Sequence, residues 1–193
     1  MGDFSQNGII SNLHDFGTKT TIDIEKELLK FSKVRKMELI LPSLYSELKG
    51  DALPNIVKQI GETKYLNHII IGLDKASKSE AIKAWKFFKK LNTPFTILWN
   101  DGPRLKKLHK ELKEKGLAPS ETGKGRNVWY CLGMCIARDE ARSVALHDCD
   151  IKTYDRRMLA KLFYPVVNPF FNYEFCKGFY PRVANGKMNG RVA

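Results

Sequence analysis

Four short apolar runs, each followed by a stretch of helical periodicity, constrain this chain more than any other feature. They lie at 37–41 (M-E-L-I-L), 68–73 (H-I-I-I-G-L), 94–98 (P-F-T-I-L) and 143–147 (S-V-A-L-H). Runs of this length read as buried strands, the first ended by Pro42. Leu53, Ile56, Val57 and Ile60 share a helical face that stops near Gly61. Ser77 and Glu80 form a capping-box pattern ahead of Ile82, Trp85, Phe88 and Leu91. Leu105, Leu108 and Leu112 punctuate a basic stretch, and a further helix centres on Val128, Cys131, Leu132, Cys135 and Ile136. Such alternation predicts an α/β fold: a doubly wound, mainly parallel sheet flanked by helices. Ligands of such sheets sit beyond the carboxyl ends of the strands, where strand order reverses. If the first and fourth strands are neighbours, residues 42–47 and 147–150 face each other there.

The 193 residues suffice for one sizeable domain, and 43% hydrophobic with 28% charged is an ordinary globular composition. No apolar stretch approaches a membrane-spanning length, and no basic-then-apolar leader opens the chain; the expectation is a cytoplasmic protein without a membrane role. Cys131 and Cys135 are four apart on one helical face with no second pair at zinc spacing, which favours buried thiols. The net charge of +12 points to an anionic partner. The densest basic run, 104–115, carries leucines at helical spacing and two glutamates, so it reads as a solvated amphipathic helix; it lacks the aromatics of an RNA-binding sheet, and no nucleic acid is expected. The organisation divides into an N-terminal extension, 1–35, partly helical; an α/β domain, 36–165; and an incomplete final region, 166–193. That last region is aromatic, with turn signals at Asn185–Gly186 and Asn189–Gly190, and reads as mixed or antiparallel.

Asp148-x-Asp150 is the sharpest local signal. Side chains alternate along a strand, so both carboxylates point one way and Cys149 the other. Two carboxylates on one face repel unless a cation or donors lie between them, and a hard divalent ion that also binds diphosphate oxygens meets that need. Gly123-Lys124-Gly125-Arg126, ahead of a helix, suits close backbone approach to an anion, although the spacing is not that of a Walker motif. Arg191, between Gly190 and Val192, carries a guanidinium suited to phosphate or carboxylate. His147 reads as a packed strand histidine or as a neighbour of the aspartates. No nucleophile motif appears.

Together, L-P-S-L-Y-S-E-L after the first strand, G-K-G before the fourth helix, H-D-C-D, and N-Y-E-F-C-K-G-F-Y-P-R-V followed by G-R-V resemble the glucosyl-3-phosphoglycerate synthases, retaining glycosyltransferases of the GT-A (Rossmann-like) fold. The resemblance covers about residues 36–193. It implies transfer of glucose from UDP-glucose to 3-phosphoglycerate with Mg2+ or Mn2+, giving a precursor of compatible solutes or polysaccharides. It makes 36–165 the nucleotide-sugar-binding domain and 166–193 the start of an acceptor region. Carried over by position, Pro42, Ser43 and Leu44 would line the uridine site, with Asp74, Lys124, Gly125 and Asp148 as further donor contacts. Asp150 would bind the metal, and Gly190, Arg191 and Val192 the acceptor. The family often writes P-A-L-N-E, which leaves Glu47 one residue late for its donor role, and Ala193 stands where threonine is usual. The resemblance also implies a longer chain and a histidine metal ligand; no histidine follows Asp150. A homodimer is compatible with this reading.

Three rivals stand beside it. A mannosyl-3-phosphoglycerate synthase would use GDP-mannose on the same fold. A sugar-nucleotide-forming nucleotidyltransferase would carry a glycine-rich loop where Pro42-Ser43-Leu44 stands. A basic nucleic-acid-binding module would bind in a salt-dependent way and ignore UDP.

Overall fold

The first strand does not stop at Pro42. In the structure, a computed structural model that describes residues 16, 18–171 and 173–178 and the backbone of 183–184 and 187–188, β1 spans Met37–Leu44. With β2 (His68–Asp74), β3 (Phe95–Trp99) and β4 (Ser143–Leu146) it forms a parallel sheet in the order β3-β2-β1-β4. Proline is tolerated in β1 because of where its missing N–H falls. The carbonyls of Lys36 and Ile40 accept from Arg142 and His147, so even-numbered residues of β1 turn their backbone polar groups toward β4. The last β4 residue, Leu146, pairs with Ile40. Pro42 lies two residues beyond that pair and forfeits no ladder bond. The expected adjacency of first and fourth strands holds, and strand order reverses between them.

The helices are α1 (Thr21–Phe31), α2 (Ala52–Gly61), α3 (Lys78–Phe88), α4 (Pro103–Glu114), α5 (Lys124–Arg138) and α6 (Arg156–Val167). One face of the sheet carries the main core, where Leu39, Leu41, Ile69 and Ile71 meet Leu28 of α1, Ile56 of α2, Phe88 of α3 and Phe163 of α6. The other face is thinner: Ile40 and Ile70 pack only against Cys131 and Cys135 of α5, with Leu98 and Met134 at the margin. The four cysteines are free, and burial pushes the Cys131 and Cys135 thiols up to about 12, as expected for packed rather than reactive groups. Helix α1, in the stretch read as an extension, contributes fully buried Leu28 and packs on α6.

Two helical faces differ from the sequence reading. Ser77 caps α3 with both hydrogen bonds of the capping box, as expected, but the phase this sets turns Ala84 and Phe88 inward. Ile82 and Trp85 are half-exposed, with the Lys89 ammonium 4.3 Å above the Trp85 ring. In α5 the buried residues are Tyr130 and the i, i+4, i+8 row Asn127, Cys131 and Cys135, which rotates Leu132 and Ile136 to solvent. Helix α4 buries no residue fully, in keeping with a solvated basic face. Strands β5 (Val183–Ala184) and β6 (Lys187–Met188) pair antiparallel; the Asn185–Gly186 turn signal lies outside the described residues. Among the described residues, no helix is long and apolar enough to cross a membrane.

Candidate active site

The ends of β1, β2 and β4 and the first turn of α5 converge beside the point where strand order reverses. What brings α5 there is a close approach to β2. A Cβ on Gly72 would sit 1.6 Å from Asn127 Oδ1 and 2.7 Å from Cys131 Sγ, so only glycine admits the helix. Asn127 seals the contact by donating to the Gly72 carbonyl at 2.8 Å. The helix begins earlier than the sequence suggests: Gly123 is its N-cap, and Lys124, Gly125 and Arg126 form its first turn rather than a preceding loop. Gly123 has φ 121° and ψ −161°, a conformation that a side chain would strain. A glycine cap has no side chain to satisfy the helix N–H groups, and the first turn holds no acid. That end of α5 therefore favours anions.

Lys124 reaches across and forms an ion pair with Asp148. Both side chains are about half exposed, which keeps the pair weak in stability terms and easy to exchange for a ligand. Asp148 follows β4, and the next two residues turn. The inside–outside alternation persists even so, with Cys149 buried and Asp150 exposed. Among the described residues, no group of three His, Cys, Asp or Glu side chains is arranged to hold a metal. Asp150, with Asp148 already paired, fits a magnesium-type ion that takes most of its ligands from phosphate and water, and does not fit a preformed protein cage.

The β1 residues divide. Pro42 and Ser43 are buried within the sheet, and the Ser43 hydroxyl donates to the Leu44 carbonyl at 3.0 Å. Leu44 is half-buried. Glu47 lies in a short 3-10 turn, Tyr45–Lys49, and its carboxylate accepts from the Leu44 N–H at 2.9 Å. That bond holds the loop against the strand end. His147 is buried, with neither ring nitrogen hydrogen-bonded, and stacks edge-on against Tyr154 at 5.3 Å between centroids. Loss of solvent lowers its pKa to about 4, so at neutral pH it is an uncharged packing group. Of the two sequence readings, packing is the one realised.

On the β2 side, Asp74 is 6% exposed. Burial holds its carboxyl above the ordinary range, against the Arg126 guanidinium 3.9 Å away. Asn100 lies close enough to favour the charged form without reaching hydrogen-bond geometry. The neighbouring loops are braced: Trp99 Nε1 donates to the Ala76 carbonyl at 2.8 Å, and the Ala76 N–H donates to Asp101 at 3.0 Å. Sequence reading singled out neither Asn100 nor Asp101, although N-D-G-P directly after an apolar strand is a legible turn signal. Arg126 was visible only as the last letter of the glycine-rich segment. Gly190, Arg191 and Val192 lie outside the described residues.

The chain is 45% identical over 192 residues to glucosyl-3-phosphoglycerate synthase of Persephonella marina, covering 100% of this chain and 47% of that protein. It is 37% identical over 198 residues to glucosyl-3-phosphoglycerate synthase of Methanococcoides burtonii, covering 98% of this chain and 47% of the relative. Over essentially its whole length the chain is similar in sequence to these two glucosyl-3-phosphoglycerate synthases. It spans about half the length of these curated relatives. No family model matches it. Glucosyl-3-phosphoglycerate synthase of Mycobacterium tuberculosis, in complex with Mn2+, UDP and glucosyl-3-phosphoglycerate, superposes with TM-score 0.52 at 16% identity, covering 81% of this chain and 47% of that one. Its complex with phosphoglyceric acid superposes with TM-score 0.51 at 15% identity, covering 80% and 46%. These likenesses support the GT-A fold.

Proposed function

We propose that this chain forms the donor-binding part of a glycosyltransferase that moves glucose from UDP-glucose to 3-phosphoglycerate with retention. The observation that carries the reading is the meeting of an uncapped, basic helix N-terminus with Asp148 and Asp150 at the reversal point of a parallel sheet. That arrangement suits a diphosphate, and the relatives at 45% and 37% identity carry the corresponding name. Asp150 would hold a magnesium or manganese ion together with diphosphate oxygens. Such an ion, when bound, supplies neutralisation of the charge on the leaving diphosphate. Lys124, released from Asp148, would donate to the same phosphates, and the α5 N–H groups would orient them. Ser43, Leu44 and the Glu47-braced loop would flank the ribose end, with Pro42 setting the strand end behind them and Gly125 allowing close approach. Asp74 would contact the nucleoside.

In the proposed reaction the bond between the anomeric carbon and the UDP oxygen breaks. The acceptor hydroxyl bonds to that carbon on the same face, and its proton passes to the leaving diphosphate. Gly190, Arg191 and Val192 are proposed as the acceptor contacts. The decisive measurement is a calorimetric titration of UDP-glucose and GDP-mannose, each with and without magnesium, on the parent and Asp150→Asn. The proposal expects magnesium-dependent UDP-glucose binding that the variant mostly loses. Preference for GDP-mannose would transfer the reading to the mannosyl enzyme. An equal magnesium response in both proteins would remove Asp150 as the ligand.

A further inference from the structure

Residues 147–155 join β4 to α6 and carry Asp148 and Asp150, and none of them belongs to a helix or strand. The inner side chains of this loop are sunk in the protein: Cys149 is buried in the main core, and buried His147 and Tyr154 stack edge-on. Asp150, Lys152 and Thr153 face solvent between those anchors. The sheet fixes the upstream end, where the His147 N–H donates to the Ile40 carbonyl at 3.1 Å. Helix α2 fixes the downstream end. Asn55 Nδ2 donates to the Tyr154 carbonyl at 3.0 Å, the Gln59 carboxamide oxygen accepts from the Arg156 N–H at 3.3 Å, and the Glu62 carboxylate pairs with the Arg156 guanidinium. Asn55, Gln59 and Glu62 follow at i, i+4 and i+7, so one stripe of α2 makes all three contacts. The adjoining stripe, Leu53, Ile56, Val57 and Ile60, is buried and fixes the rotation of the helix.

The three contacts are not equivalent. Gln59 and Glu62 hold Arg156, the first residue of α6, a helix that Leu159, Ala160 and Phe163 already bind to the core. Asn55 holds Tyr154, which lies in the loop itself. The Tyr154 hydroxyl is buried without a hydrogen-bond partner, so packing holds the ring and the backbone carbonyl supplies the polar tie. Removing the donor would leave that carbonyl unmet and favour a shift of the loop towards water. Helix α2 also begins shortly after the turn in which Glu47 braces Leu44, so one helix is tied to both segments that flank the reversal point.

Resting on the donor reading above, we propose that Asn55 is a positioning residue for the metal-binding aspartate: its bond to the Tyr154 carbonyl sets the 148–154 loop so that Asp150 can share a divalent ion with the diphosphate. A metal ligand has to be held to within about 0.5 Å, and a solvent-facing side chain on an irregular loop depends on its neighbours for that. In this role Asn55 acts through the loop backbone and contacts neither ion nor nucleotide.

Calorimetric titration of UDP with and without magnesium tests this on the 193-residue chain and on Asn55→Ala, Asn55→Ser and Gln59→Ala. In the parent, magnesium should tighten UDP binding. Asn55→Ala should cut that gain about tenfold, the lower end for a group that orients a metal ligand, and leave affinity without magnesium unchanged. Asn55→Ser is the milder truncation, its hydroxyl too short to reach the carbonyl, and should lose the gain likewise. Gln59→Ala removes a bond from the same stripe and should keep the whole gain, while chemical denaturation reports the stability of each variant. Full magnesium gain in the Asn55 variants, or equal weakening with and without magnesium, overturns the inference and leaves the donor reading standing. So does an equal loss of the gain in Gln59→Ala, or failure of both Asn55 variants to fold, since either makes the stripe a support of the fold at large. If magnesium leaves UDP binding to the parent unchanged, the metal part of the donor reading falls, and this inference falls with it.

Discussion

The two halves of the strand-end surface are built on opposite principles. On the β1–β4 side, Lys124, Asp148 and Asp150 stand in solvent, and the one ion pair joins half-exposed groups. On the β2–β3 side, Asp74 and Asn100 are buried, and the unmet hydrogen-bonding capacity of Asn100 and Arg126 is sealed in. Solvated charges exchange partners cheaply and tolerate mutation, whereas buried polar groups are preorganised and sensitive. A diphosphate arriving with counterions needs the first kind of surface.

The contrast is sharpest at the contact that positions α5. Gly72→Ala would drive a methyl group into Asn127 and Cys131, and the helix has no slack because Asn127 is bonded to the same residue's carbonyl. The expected loss is about 3 kcal/mol or more in chemical denaturation, with nucleotide binding falling alongside. A loss below about 1 kcal/mol would mean that α5 can shift and that the sealed side is less rigid than described.

His147 tests whether sealing extends beneath the open side. Its folded pKa of about 4 lies below the ordinary value of 6.5, so the unfolded chain takes up a proton first as pH falls. Its contribution to stability is complete above pH 6.5, declines as pH falls between 6.5 and 4, and is spent below that. The expected decline is about 3 kcal/mol at most. His147→Phe should flatten this part of the stability–pH curve. An unchanged curve would indicate that the imidazole reaches water.

The smallest effect is predicted for Lys124→Ala. Removing an exposed ion pair should change unfolding free energy by less than about 0.5 kcal/mol while weakening UDP binding in magnesium several-fold. A stability loss matching that of Gly72→Ala would erase the distinction between the two sides.

Much of this protein was legible before any coordinates. The short apolar runs and the period-3.6 faces between them determined the parallel α/β class and the inward face of α2, and the Ser77–Glu80 spacing determined the capping box, because backbone geometry imposes those patterns locally. The Asp148–Asp150 pair and the glycine-rich segment marked one half of the site through residue type and spacing alone. Tertiary structure decided the rest. Pro42 stays inside β1 because β4 ends opposite Ile40, two residues short of it, a fact about a partner strand some hundred residues away. Trp85, Leu132 and Ile136 face solvent because the packing of α3 and α5 on the sheet fixes their rotation, and apolar character alone carries no such phase. The cleft at Asn100 and Arg126 unites a strand end with a helix start 26 positions later; neither residue is unusual in isolation. Burial without a partner is what distinguishes them, and burial belongs to the fold, since it depends on which distant segments close over a side chain.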